Sequence, residues 1–209
     1  PRGAASMGNL GQKVREARQA RNLTLREVAR RAGLTASLIS QIERGLANPS
    51  VSSLLSIANV LGLSMDYFFE TTNRALAGGA GSVQPSVNPP SLPANHVGEL
   101  IPMVRAAERD VVNIAGGVQW QRLTPKHDQT IEFIELRYDV GSSSGDLAYR
   151  HRGREYGVVL QGRLAIELGF NRYVLEPGDS ISFDCTVPHR LVNVGDTPVI
   201  GIWVILDRY

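Results

Sequence analysis

Between Thr71 and Val97, glycine, proline, alanine, serine and asparagine crowd out every pattern a packed element needs, as in Gly78-Gly79-Ala80-Gly81-Ser82 and Asn88-Pro89-Pro90. Neither a helical nor a strand period survives there. The stretch 71–99 therefore reads as a flexible linker, and the chain as two folding units, 7–70 and 100–209. At 209 residues there is room for two domains of ordinary size. The six residues ahead of Met7 read as a cloning remnant outside the fold.

The two units differ in charge. Residues 7–72 carry eight Lys/Arg against five Asp/Glu, whereas 73–209 carry thirteen against fifteen. A small basic unit ahead of a near-neutral larger one suggests that only the first meets a polyanion. One cysteine, Cys185, excludes an intramolecular disulfide and an all-cysteine metal cluster. No apolar run approaches the roughly 20 residues of a membrane span, and no basic segment followed by an apolar core opens the chain. The expectation is a cytoplasmic protein that does not enter a membrane.

In the first unit the punctuation predicts five short helices. One runs from about Leu10 to Arg21 with Leu10, Val14 and Ala17 on one face. Thr24-Leu25-Arg26-Glu27 is a capping box for a second, which turns Val28, Ala29 and Ala32 inward and stops at Gly33. Thr35 caps a third, Ala36 to Arg44, followed by Gly45; Ser50 and Ser64 cap a fourth and a fifth. Helices two and three, joined by a tight turn, make a helix-turn-helix. On the third, Leu38, Ile39 and Ile42 form the apolar stripe, and Ser37, Ser40, Gln41 and Arg44 the opposite one. A merely solvated face usually carries Lys and Glu, and this stripe has neither. Hydroxyls, an amide and a guanidinium suit base edges and phosphates.

Thr24-Leu25-Arg26-Glu27-Val28-Ala29 with Gly33, then Ile39-Ser40-Gln41-Ile42-Glu43-Arg44-Gly45 and Pro49-Ser50, resemble the XRE-type, phage-repressor-like DNA-binding domain over residues 9–70. The resemblance implies base contacts from Ala36, Ser37 and Gln41. It implies phosphate contacts at or beside Thr24, Arg26, Thr35, Ser40, Arg44 and Asn48. It also implies that Glu43 pairs with Arg18 of the first helix; a carboxylate turned toward DNA would be repelled.

The second unit consists of short Val/Ile/Leu/aromatic runs separated by Gly, Asp and Pro turns, the texture of an all-β sandwich or barrel. In Tyr149-Arg150-His151-Arg152-Gly153-Arg154-Glu155, strand parity puts Tyr149, His151 and Glu155 on one face and the three arginines on the other. A buried His and Glu need a partner, either a metal or hydrogen bonds in a polar pocket. His189, after Val187-Pro188, completes a two-His, one-carboxylate set. His96 and His127 have no partner at ligand spacing, and Cys185 reads as a small buried thiol. In Tyr156-Gly157-Val158-Val159-Leu160 both faces are apolar, so the outer one needs cover such as a second sheet or a partner subunit.

Gly145, His151, Glu155 and Gly162, then Pro177, Gly178, His189 and Asn193, resemble the two cupin motifs, which implies a jelly-roll barrel over about 103–209. The family's first motif histidine is replaced here by Tyr149. Three of the usual four ligands remain for one divalent transition metal (Zn, Fe, Ni or Mn), and a metal-free pocket is the other option. The effector pocket is expected around Tyr149, His151, Glu155 and His189.

Together the readings give a two-domain protein, an all-α five-helix helix-turn-helix domain plus an all-β cupin barrel. It resembles bacterial transcription regulators whose cupin domain senses a small molecule and dimerises. The expected partners are double-stranded DNA with a pseudo-palindromic operator, a small-molecule effector and a second copy of the chain, with a tetramer as the larger option. On this reading the protein is no enzyme. The alternative is a mononuclear non-haem metal enzyme of oxygenase or epoxidase type built on His151, Glu155 and His189. In a third reading, a sugar-epimerase-like or storage-type cupin, the helices serve assembly only.

Overall fold

The structure, a computed structural model, describes residues 7–69, 103–125 and 131–206; the expected linker, His96 and His127 lie outside the described residues. Four helices build the first domain: α1 (Met7–Ala20), α2 (Leu25–Ala32), α3 (Ala36–Glu43) and α4 (Val51–Leu61). Each of the last three begins as its cap dictates. Thr24 Oγ1 accepts from the Glu27 amide while the Glu27 carboxylate accepts from the Thr24 amide, and Thr35 and Ser50 accept from Leu38 and Ser53. Gly33 and Gly62 close α2 and α4 in the left-handed conformation, at φ 68° and 59°. Buried Leu10, Val14, Ala17, Ile39, Ile42, Leu54 and Ile57 fill the space between the helices. α1 and α3 approach so closely that a Cβ on Gly11 would lie 2.1 Å from the Ile42 carbonyl oxygen.

The expected fifth helix is instead a single 3-10 turn, Met65–Phe68, and Ser64 makes no side-chain cap bond. The neighbouring pairs Met65–Asp66 and Phe68–Phe69 are all buried. Phe69 already has extended backbone, φ −61° and ψ 131°, and its amide donates to the Asp66 carbonyl, so the element ends after one turn.

Among the described residues the second domain has nine strands: β1 (Val111–Ile114), β2 (Val118–Arg122), β3 (Ile131–Tyr138), β4 (Arg154–Gln161), β5 (Leu164–Leu168), β6 (Asn171–Leu175), β7 (Ser180–Asp184), β8 (His189–Asn193) and β9 (Val199–Leu206). They form a six-stranded sheet, β1-β2-β3-β9-β4-β7, and a three-stranded sheet, β6-β5-β8. Period-2 burial turns Ile134, Leu136, Tyr138, Val159, Ile166, Leu191 and Trp203 inward. A closed barrel was expected; the sheets are not closed. β1 and β7 remain edges of the large sheet and β6 and β8 of the small one, and isolated bridges pair Ser143 and Tyr149 of the β3–β4 connection with Val192 and His189 of β8.

The two domains pack against each other. The Ser52 amide at the start of α4 donates to the Ser144 carbonyl at 3.1 Å, and the Ala115 amide donates to the Pro49 carbonyl at 2.9 Å. Arg122 reaches from β2 to Asp66 in the 3-10 turn at 2.8 Å.

Candidate functional site

α3 presents Ser37 and Gln41 to solvent with Arg44 exposed just beyond its end, while Ala36 and Ser40 are half-buried beside them. Thr24, Arg26 and Thr35 are exposed at the starts of α2 and α3, and half-buried Asn48 precedes α4. Thr24 and Thr35 act as caps, and Arg44 Nε donates back to the Ser40 carbonyl at 3.1 Å. Beneath this surface Arg18 binds Glu43 through two bonds, 2.6 and 2.8 Å, with side chains only 13% and 6% exposed. That pair fixes α1 against α3 and keeps the Glu43 carboxylate away from the exposed stripe.

The second constellation lies between the sheets. β4 turns Glu155 inward, β8 turns His189 inward, and His151 hangs from the bend before β4. One ligand atom from each lies within 4.8 Å of the other two. Each imidazole donates Nδ1–H to a carbonyl at 2.9 Å, His151 to Arg152 and His189 to Val187. Both Nε2 atoms therefore converge on Glu155 Oε1, at 2.9 and 3.3 Å. The His151 contact is an aligned hydrogen bond; the His189 contact is close but misaligned, and its Nε2 is a buried atom with no hydrogen-bond partner. Trp203 Nε1 donates to the other carboxylate oxygen at 2.8 Å. Trp203 can lie there because its cross-strand neighbour is Gly157; a Cβ at that position would meet the indole at 2.3 Å.

Burial raises the Glu155 carboxyl, but the adjoining imidazoles outweigh it and hold it down at about 2. Burial lowers the His151 imidazole, and the hydrogen bond to Glu155 reverses this, so its pKa ends raised. The proton on His151 thus stands where a cation would serve both histidines. An orphaned Nε2 facing a carboxylate and a second imidazole fits a divalent metal held by His151, Glu155 and His189. Such an ion would supply Lewis acidity and a coordination point for a ligand oxygen.

Tyr149 stands beside this cluster, its ring edge-on to His189 at 4.4 Å and its hydroxyl bonded to Ser144. Asn193 is structural: its amide donates to the Tyr138, Asp139 and Thr197 carbonyls. Cys185 is buried, and desolvation together with Glu155 pushes its thiol upward, which keeps it protonated and unreactive.

A cavity of about 440 Å³ opens above the cluster. Two expectations change there. Arg150 and Arg152 line its mouth rather than an outer face, because Tyr149–Gly153 is not a regular strand; Gly153, at φ 102°, breaks the alternation. Glu132, which sequence reasoning did not single out, lines the cavity on β3. The signal was there: it shares the parity of Ile134 and Leu136. Desolvation first, then Asp66, raises its carboxyl to about 7.

Residues 14–68 match the helix-turn-helix family and residues 134–205 the cupin domain family. The chain joins an XRE-type helix-turn-helix domain to a cupin domain. It is 27% identical over 185 residues to the HTH-type transcriptional regulator PuuR of Escherichia coli (strain K12), covering 88% of this chain and 86% of that protein. An uncharacterized HTH-type transcriptional regulator of Sinorhizobium fredii, y4dL, is 44% identical over 57 residues, 27% of this chain and 29% of its own length. The crystal structure of an HTH_3 family transcriptional regulator from Vibrio cholerae covers 98% of both chains with a TM-score of 0.65 at 18% identity, and so shares the fold. Among the described residues no helix is long and apolar enough to cross a membrane.

Proposed function

We propose that the protein is a sequence-specific transcription regulator whose helix-turn-helix domain reads DNA and whose cupin domain senses a small molecule. The observation that carries this reading is the exposed stripe of Ser37, Gln41 and Arg44 along α3, held by the Arg18–Glu43 pair beneath it. Ala36, Ser37 and Gln41 face base edges; Thr24, Arg26, Thr35, Ser40, Arg44 and Asn48 hold phosphates. The relationship to PuuR, which spans both domains, supports it.

One small helix-turn-helix buries little DNA surface, so the active form is a homodimer on a pseudo-palindromic operator. The outer face of the large sheet supplies a reason to pair. Tyr156 and Leu160 on β4 are 39% and 54% exposed, and Ile202 and Val204 on β9 flank them half-buried. The effector occupies the cavity lined by Tyr149, His151 and Glu155, with fully buried His189 behind them, where one divalent transition metal has its ligands.

Footprinting of the purified protein upstream of its own gene at two salt concentrations, followed by genome-wide selection of bound fragments, tests the reading. The expected result is a two-fold-related protected site whose affinity falls steeply with salt. A second reading, a mononuclear metal enzyme of oxygenase or epoxidase type, is favoured by the orphaned His189 Nε2 alone. Absence of DNA binding in both experiments, together with stoichiometric iron and dioxygen-dependent turnover, would put that reading first.

A further inference from the structure

The cavity over the His151–Glu155–His189 cluster does not belong to the cupin domain alone. Its opposite wall is the helix-turn-helix domain: Leu55, Ala58 and Asn59 from α4, Ser64, and Met65 from the 3-10 turn. Four contacts hold that wall in place. Glu132 accepts from the Met65 amide. Arg122, its side chain 10% exposed, binds Asp66 of one domain and Asp110 of the other and lies 5.6 Å from the Phe69 ring centre. The Ser52 and Ala115 amides each donate to a carbonyl of the opposite domain. The Gly145 loop is moulded to α4; a Cβ there would lie 2.4 Å from Ser52 Oγ.

We propose that the helix-turn-helix domain is half of the effector site: a small molecule with an apolar body and a polar end bridges Leu55 and Met65 on one wall and His151 on the other, tying the domains into the docked arrangement. The lining sets the class of ligand: Leu55 and Met65 with Trp120, Ile134 and Leu136 enclose an apolar body, and His151 offers its polar end a partner. Occupancy then reaches the DNA-reading domain by direct contact between the two walls. Linkage makes the coupling reciprocal: loosening the docked helices weakens the ligand, and the ligand restrains the helices. This inference rests on the regulator reading for its purpose but not for its geometry.

Hydrogen–deuterium exchange on the full chain tests it, read at the Ser52 and Ala115 amides, whose acceptors lie across the interface. The neutral fluorescent probe N-phenyl-1-naphthylamine stands in for the ligand, excited by energy transfer from Trp120 and Trp203, both on the cavity wall. In the wild type both amides exchange slowly, and the probe slows them further. In Arg122→Met and in Gly145→Val both exchange at least tenfold faster, beyond whatever protection the β3 and β9 amides lose through global stability, and the probe binds at least fivefold more weakly. Fast exchange of both amides in the wild type, failure of the probe to bind, or unchanged probe affinity in both variants would overturn the joint site. DNA binding by the same preparation is scored separately, so a failed footprint counts against the regulator reading and leaves the joint site to be judged by exchange.

Discussion

Asp66 in the helical domain and Arg122 in the cupin sheet meet at 2.8 Å, with side chains only 4% and 10% exposed. Arg122 is also bound to Asp110, so one guanidinium pairs with a carboxylate from each domain. The desolvation already spent on such a group makes its net worth small but its disruption costly. Arg122→Ala should lower the unfolding free energy by about 3 kcal/mol. Arg137→Ala, which breaks an exposed bridge to Asp139, should change it by less than about 0.5 kcal/mol. Urea unfolding of the two variants checks the contrast.

Gly11→Ala should destabilise the helical domain although alanine is the better helix former. The added Cβ would meet the Ile42 carbonyl oxygen at 2.1 Å, and backbone cannot rotate away as a side chain can. The cost expected from overpacking is about 2 kcal/mol, read as a lowered Tm. A neutral or raised Tm would show that α1 and α3 are not packed this closely.

Calorimetric titration with Zn²⁺ or Ni²⁺ should give one ion per chain in the wild type and none in His189→Ala. Trp203→Phe removes the bond that orients Glu155 and should weaken the ion by about 10- to 100-fold without removing a ligand. Equal affinity in Trp203→Phe and wild type would deny the indole its positioning role.

Glu132 gives stability of the metal-free protein a pH dependence of definite sign. Its folded carboxyl titrates at about 7, above its value in the unfolded chain. The folded state therefore keeps a proton that the unfolded state releases, and stability falls as pH rises from about 4.5 to 7. Glu132→Gln should remove this penalty. Discounted for the partial exposure of the residue, the gain is about 2 kcal/mol at pH 8 and near zero at pH 4. Unfolding curves at the two pH values decide it.

At the DNA, Gln41→Ala should lose about 1–3 kcal/mol of discrimination at one base position, whereas Arg26→Ala should weaken all sequences alike and reduce the salt slope by about 1. Binding-site selection and salt titration separate the two. An unchanged operator preference in Gln41→Ala would remove that residue from base reading.

Local chemistry was enough for much of this protein. The caps at Thr24, Thr35 and Ser50, the stops at Gly33 and Gly62 and the apolar spacings of α1–α4 depend on residues within a turn or two of one another, so they can be read along the chain. Parity likewise placed Glu155 inward, and the motif spacing marked both domains. The limits appear where geometry is set by partners distant in the chain. The 3-10 turn at Met65–Phe68 stops where Phe69 becomes extended and Asp66 meets Arg122 of the other domain, neither of which a local period encodes. Arg150 and Arg152 face the cavity because a bend interrupts the strand that parity assumes. The convergence of two Nε2 atoms on one carboxylate oxygen depends on how β4 and β8 are brought face to face in separate sheets. The union of α4 and the cupin floor around one cavity is likewise a matter of domain packing: its contacts join residues more than fifty positions apart, and their energy exists only once both surfaces have formed.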